Sequence, residues 1–208
     1  MRPVNRVALA ITGASGAAYG LRLLEVLIGL DVRVELMISN PGRMVIAEET
    51  DLRLPSKAQE IATILGARFA AADGQLQVYG KEDWFAPVAS GSNPPDALVV
   101  CPCTTGTLAE IAAGTSRALI ERAADVAIKE RRPVVLVVRE TPFSPIHLEN
   151  MLRLSRAGVT VMPANPGFYH RPEAVEDLVD YMVGRVLDHL HLEHDLMQRW
   201  GAQRLQSD

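Results

Sequence analysis

Four short runs of Val, Ile, Leu and Ala recur along the chain, at Val7 to Ile11, Val32 to Ile38, Ala97 to Cys101 and Val134 to Val138, and a shorter fifth run spans Val159 to Met162. Most of them are continuous in hydrophobicity instead of alternating with polar residues. A strand of that kind is buried on both faces, which requires a parallel sheet covered by helices on either side. The intervening segments supply the helices: Leu21, Leu24 and Ile28 share one helical face, as do Ala123 and Ala127 within 117–131. The βαβα alternation therefore predicts an α/β, Rossmann-like three-layer sandwich with a mainly parallel sheet. At 208 residues the chain fits one domain, 1–208, large enough to bury most of the surface its unfolded form exposes. Residues 50–96 are less periodic; 57–66 reads as a helix and the proline-containing stretch 86–95 as an irregular loop. A long amphipathic helix is expected from Tyr181 to Trp200, making 181–208 a C-terminal helix and tail that packs on a neighbouring subunit.

A net charge of -4 gives no basic footprint for nucleic acid. The apolar runs are strand-sized and far shorter than the roughly 20 residues needed to cross a bilayer. The first residues lead straight into a strand pattern with no signal-peptide core, so a cytoplasmic, reducing location is expected. Cys101 and Cys103 are too close together for an ordinary disulfide and too few for a zinc cage, and read as free thiols.

Ligands of an open parallel sheet bind beyond the carboxyl ends of its strands. After the first run comes Thr12-Gly13-Ala14-Ser15-Gly16-Ala17, a turn of small residues opening into a helix, whose N–H groups and dipole favour a phosphate. The spacing is not the dinucleotide fingerprint, and the second run ends at Ser39 with no acid to hold an adenosine ribose. A mononucleotide such as FMN fits better than NAD. The third run ends in Cys101-Pro102-Cys103-Thr104-Thr105-Gly106-Thr107, a hydroxyl-rich helix start suited to phosphate or to plain capping. The fourth ends in Arg139-Glu140, read as an anion clamp whose guanidinium the carboxylate orients, or as a surface ion pair. Arg122 and Lys129 lie two turns apart on one helix face, placed to bind a dianion or simply solvated.

Glu48 and Glu49 close the helix opened by Asn40-Pro41, where an acid opposes the dipole and points to another task. The His189, His191 and His194 spacing does not converge on a metal, and no metal is expected. Trp84 and Trp200 are either core residues or an aromatic wall for an allylic group.

Gly13-Ala14-Ser15-Gly16 with Tyr19-Gly20, the stretch from Arg122 through Asp125 and Lys129 to Pro133, Val138-Arg139-Glu140-Thr141-Pro142, and Phe168-Tyr169-His170-Arg171-Pro172 together resemble the signatures of the UbiX-type flavin prenyltransferases. The resemblance covers almost the whole chain. It implies an enzyme that joins the dimethylallyl group of dimethylallyl phosphate to N5 and C6 of reduced FMN. The product, prenylated FMN, serves UbiD-type decarboxylases in ubiquinone biosynthesis and aromatic acid decarboxylation. By that resemblance Gly13, Ala14, Ser15, Ser39, Thr104, Thr105, Gly106, Thr107 and Arg139 contact FMN. Tyr169 and Arg185 contact the substrate phosphate, completed by Arg122, Lys129, Arg139 and Glu140, partly from adjacent subunits of a dodecamer; Trp84 stays a candidate for the aromatic wall. Ser15, Glu49, Lys129, Glu140 and Trp200 form the expected catalytic set, with Ser15 and Glu49 relaying protons. Two readings stay open beside it. One is a related FMN-dependent cysteine decarboxylase, which wants a catalytic His near the first helices, where none stands; the other is a flavodoxin-like electron carrier.

Overall fold

The computed structural model describes residues 4–197. Its elements follow in order: β1 (Arg6–Ile11), α1 (Ala17–Gly29), β2 (Arg33–Ile38), α2 (Asn40–Glu49), α3 (Ala58–Arg68), β3 (Leu76–Tyr79), β4 (Ala97–Cys103), α4 (Thr105–Ala113), α5 (Leu119–Lys129), β5 (Val134–Val138), α6 (Pro145–Arg156), β6 (Thr160–Pro163) and α7 (Val175–Leu190). The strands form one sheet in the order β3-β2-β1-β4-β5-β6, and every neighbouring pair is parallel. The order reverses direction between β1 and β4. Their loops part there to opposite faces, which opens a crevice above the strand ends.

Two cores follow from the pleat, because successive side chains of a strand point to opposite faces. Val7, Leu9 and Ile11 of β1 face a core shared with α1, α2, α3 and α7, while Ala8 and Ala10 face α4, α5 and α6. All five residues of β5 are buried, as a strand covered on both sides must be. The 3-10 turn Pro87–Ala89 lies against α5 within the stretch read as an irregular loop.

Two expectations need correction. β3 passed unseen in 50–96, because Leu76-Gln77-Val78-Tyr79 is a four-residue edge strand with one fully buried side chain and little hydrophobic signal. The C-terminal helix starts earlier than expected and stops at Leu190, where His191 adopts a left-handed conformation. Beyond it, His194 Nε2 lies 3.2 Å from Asp188 Oδ1 and partly buried Leu192 and Leu196 pack on the first core. The histidines thus serve as a helix stop and a tail anchor. Residues 198–208, Trp200 among them, lie outside the described residues.

Candidate functional site

Three strand-end turns are tied together at the crevice. Buried Thr12, at the end of β1, donates its hydroxyl to the Pro102 carbonyl at 2.8 Å and accepts the Thr104 N–H at 2.9 Å, so the β1 and β4 turns are stapled by one side chain. The third turn joins through Arg139, after β5, whose Nε donates to the Ser15 carbonyl at 3.1 Å. Gly16 caps α1 at φ 107, a conformation that residues with a Cβ rarely adopt. A Cβ on Gly13 would collide with Pro41, so only glycine lets the start of α2 rest on this turn.

Two more helix starts point at the same region. Ser39 caps α2 by accepting the Gly42 N–H at 3.0 Å, and Thr104 caps α4 by accepting the Thr107 N–H at 3.0 Å. Thr104 also donates to the Thr107 hydroxyl at 3.0 Å. Ser39 and Thr107 line one cavity of about 310 Å³, with Asn40, Tyr79, Lys81 and Arg117 among its other walls. Converging helix N-termini and hydroxyls make this a place for an anionic group.

The donors of α1 are partly spoken for. The Glu49 carboxylate accepts the Gly16 N–H at 2.9 Å and the Ala17 N–H at 2.8 Å, with the Ser15 hydroxyl in hydrogen-bonding reach. Partial burial alone would raise this carboxyl. The three hydrogen bonds and the Arg139 charge outweigh it and hold Glu49 below the usual carboxylate range. The acid at the C-terminal end of α2 is thus the capping anion for the amino end of α1, which accounts for its unfavourable place on its own helix.

Arg139 and Glu140 do not form the expected clamp. The guanidinium turns to Ser15, whereas Glu140 Oε1 accepts the Thr141 N–H at 3.0 Å. Arg122 donates from Nε to the Ala89 carbonyl at 3.0 Å and from Nη1 to Asp125 at 2.7 Å, and Lys129 pairs with Glu130. Among the described residues no hydrogen bond or ion pair joins Arg122 or Lys129 to Arg139 or Glu140. The reason is direction: α5 starts beside Lys81, past the end of β3, and runs antiparallel to the strands into the start of β5. At 1.5 Å per residue its 11 residues carry Lys129 about 16 Å towards the amino ends of the strands.

Tyr169 and Arg185 form a separate group. The Tyr169 hydroxyl lies 3.4 Å from that of Tyr181, and this hydrogen bond is the main cause that raises the Tyr169 phenol. His170 stacks on Tyr181 with ring centroids 5.3 Å apart, and Arg185 pairs with Asp188 at 2.7 Å. Trp84 stands exposed beside fully exposed Phe85. Both thiols are free and buried; burial pushes Cys101 up strongly and Cys103 up to about 12. Among the described residues no group of three or more His, Cys, Asp or Glu is placed to hold a metal.

The cavity also contains residues the sequence did not single out. Glu110 and Glu121 line it, and Glu121 is only 7% exposed. Within the sequence Glu121 sits in the first turn of α5, where an acid is ordinary helix-dipole chemistry. No local signal marks it.

Residues 1–187 match the model of the flavoprotein family, and the chain belongs to that family. Its place within it is among the UbiX-type flavin prenyltransferases. It is 56% identical over 204 residues, 98% of both chains, to the flavin prenyltransferase UbiX of Pseudomonas aeruginosa. With the mitochondrial flavin prenyltransferase of Saccharomyces cerevisiae it shares 44% identity over 94% of this chain and 75% of the other. The crystal structure of AnUbiX in complex with FMN and dimethylallyl pyrophosphate superposes with a TM-score of 0.85 at 40% identity, covering 97% of this chain and 99% of that one. A dodecameric FMN-dependent UbiX-like decarboxylase from Escherichia coli gives 0.83 at 40% identity, covering 95% and 100%. The cypemycin decarboxylase, at 17% identity and a TM-score of 0.57, shares the fold alone.

Proposed function

We propose that the protein is a flavin prenyltransferase that joins the dimethylallyl group of dimethylallyl phosphate to N5 and C6 of reduced FMN, releasing phosphate. The observation that carries this reading is the convergence of three helix starts and Arg139 on one crevice, in a chain 40% identical to a protein whose structure holds FMN and dimethylallyl pyrophosphate. The residues present fit FMN. Gly13, Ala14 and Ser15 form a turn of small side chains at the crevice, Ser39 and Thr104 to Thr107 supply capped helix ends for a phosphate, and Arg139 lies across the turn. FMN supplies the nucleophilic positions, and the protein holds it, excludes water and handles charge and protons.

Loss of the allylic phosphate builds negative charge on the leaving group, so cations aimed at it lower the barrier. Arg122, Lys129, Arg139 and Arg185 are those cations, with Tyr169 and Glu140 beside them. They converge only when neighbouring subunits contribute, because α5 carries Lys129 away from Arg139 within one chain. A homododecamer supplies such neighbours, as in the Escherichia coli relative. The exposed apolar residues Trp84, Phe85, Ile146, Leu148, Leu152 and Phe168 are surfaces for that assembly. Trp84 can then face the allyl group from an adjacent subunit. Ser15 and Glu49 form a hydroxyl–carboxylate couple for proton relay. No described helix is long and apolar enough to cross a membrane, and we place the enzyme in the cytoplasm, delivering prenylated FMN to a UbiD-type decarboxylase of ubiquinone biosynthesis.

Anaerobic incubation with reduced FMN and dimethylallyl phosphate, followed by mass and absorption measurement of the flavin, tests the reading. A flavin heavier by one five-carbon unit is expected. Flavin recovered unchanged would overturn the assignment and return the cysteine decarboxylase and the electron carrier to consideration.

A further inference from the structure

The last turn of α7 carries an acid, Asp188, at the helix end where the dipole disfavours negative charge. Its side chain is 17% exposed and is held from two sides. Arg185, three residues back on the same helix, donates from Nη1 to Asp188 Oδ2 at 2.7 Å. At the other oxygen stands His194, from the segment that folds back over α7 after Leu190, with its Nε2 3.2 Å from Asp188 Oδ1. The Leu196 N–H donates to His194 Nδ1 at 3.3 Å. That nitrogen is therefore the acceptor of the ring, and the hydrogen on Nε2 is the one donated to Asp188.

The imidazole is 2% exposed. It rests on α7 at Gly184, where a Cβ would stand 2.9 Å from His194 Cε1, so the glycine makes room for the ring. A surface ion pair between neighbours on a helix needs no such support. Here a backbone N–H fixes an imidazole, the imidazole fixes a carboxylate, and the carboxylate fixes a guanidinium. Among the described residues the Arg185 guanidinium has no other hydrogen-bond partner, which leaves its remaining N–H groups for a ligand. The Tyr169 phenol feels the charges of both Arg185 and Asp188, so the guanidinium lies beside that hydroxyl.

We propose that Asp188, fixed in turn by His194, is a positioning residue that aims the Arg185 guanidinium at the phosphate of dimethylallyl phosphate. This rests on the reading above, in which Arg185 and Tyr169 meet that phosphate, and it extends the substrate site to the segment beyond α7. A guanidinium ordered before the ligand arrives spares the cost of ordering a long side chain on binding, which is worth roughly threefold to tenfold in affinity.

The test is the dissociation constant of dimethylallyl phosphate for the full-length protein loaded with oxidised FMN, so that binding is read without transfer, at about pH 8, where an ordinary imidazole is uncharged. His194→Leu removes the donor without changing the charge and should weaken binding roughly threefold to tenfold. His194→Gln, whose amide N–H reaches for the same oxygen, should restore most of that loss. Asp188→Asn should weaken binding too, although it takes a negative charge away from the phosphate and charge alone predicts the reverse. In an Arg185→Ala background none of these substitutions should cost anything further, and FMN affinity should stay level throughout. The proposal is overturned by a His194→Leu protein that binds as tightly as the unaltered one, by Leu and Gln variants impaired alike, by tighter binding in Asp188→Asn, or by a loss that persists undiminished without Arg185. If the unaltered protein fails to bind dimethylallyl phosphate, or Arg185→Ala binds it equally well, the substrate-site reading itself falls and takes the inference with it, a result recognisable before any His194 or Asp188 variant is measured.

Discussion

The Glu49 carboxylate takes two N–H groups at the start of α1 and the Ser15 hydroxyl, an arrangement that sets its acidity. A carboxylate held below its ordinary range is ionised at neutral pH and is a weak base, so in the proposed relay it would pass a proton on from Ser15 and not keep it. Its hydrogen bonds contribute stability that is fully present above the unfolded carboxylate value and is lost as pH falls through the lowered folded value. Glu49→Gln should leave FMN bound and stall formation of the prenylated product; full turnover by that variant removes Glu49 from the mechanism. The same substitution should weaken the acid limb of the unfolding profile, at a cost of about 1 kcal/mol for the poorer cap.

At the level of elements, α1 approaches the sheet through Gly20, where a Cβ would run into the Cys101 carbonyl and the Ile11 side chain. Gly20→Ala should therefore cost about 1–3 kcal/mol by overpacking and lower the Tm by roughly 2–12 °C. Gly66 of α3 has nothing within 4 Å of its would-be Cβ, so Gly66→Ala should raise stability by about 0.5–1 kcal/mol. A calorimetric scan of the two variants reads both signs, and equal shifts would contradict the packing argument. Elements like these were legible wherever burial wrote itself into consecutive residues: β5 was found residue for residue, and β1, β2 and β4 within two at either end. β3 was not, because an edge strand of four residues carries too little buried surface to leave a pattern. The crevice was legible for a related reason, since parallel strands send their ligand contacts to the residues after each run. The partners chosen there were not: Arg139 faces Ser15 and not its sequence neighbour Glu140, and Glu110 and Glu121, which line one cavity, come from two helices whose spacing in sequence says nothing of it.

For the molecule as a whole, the direction of α5 sets Lys129 and Arg139 towards opposite ends of the sheet, so the proposed phosphate site, which uses both, would have to draw on more than one copy. Subunits carrying Lys129→Ala and subunits carrying Arg139→Ala should each lack prenyl transfer. Unfolded together and refolded as a mixture, they should regain part of the activity, because some sites then draw an intact lysine from one chain and an intact arginine from another. A mixture as inactive as its components would show that each site is built from one subunit alone.

Cys101 and Cys103 lie inside β4, out of contact with solvent, and are held as neutral thiols far above neutral pH. Reduced flavin that meets oxygen generates hydrogen peroxide, and peroxide oxidises thiolates, not buried thiols. The thiols of the turn beneath the crevice are therefore poor targets for that peroxide, and the turn is built to outlast an accidental encounter with air.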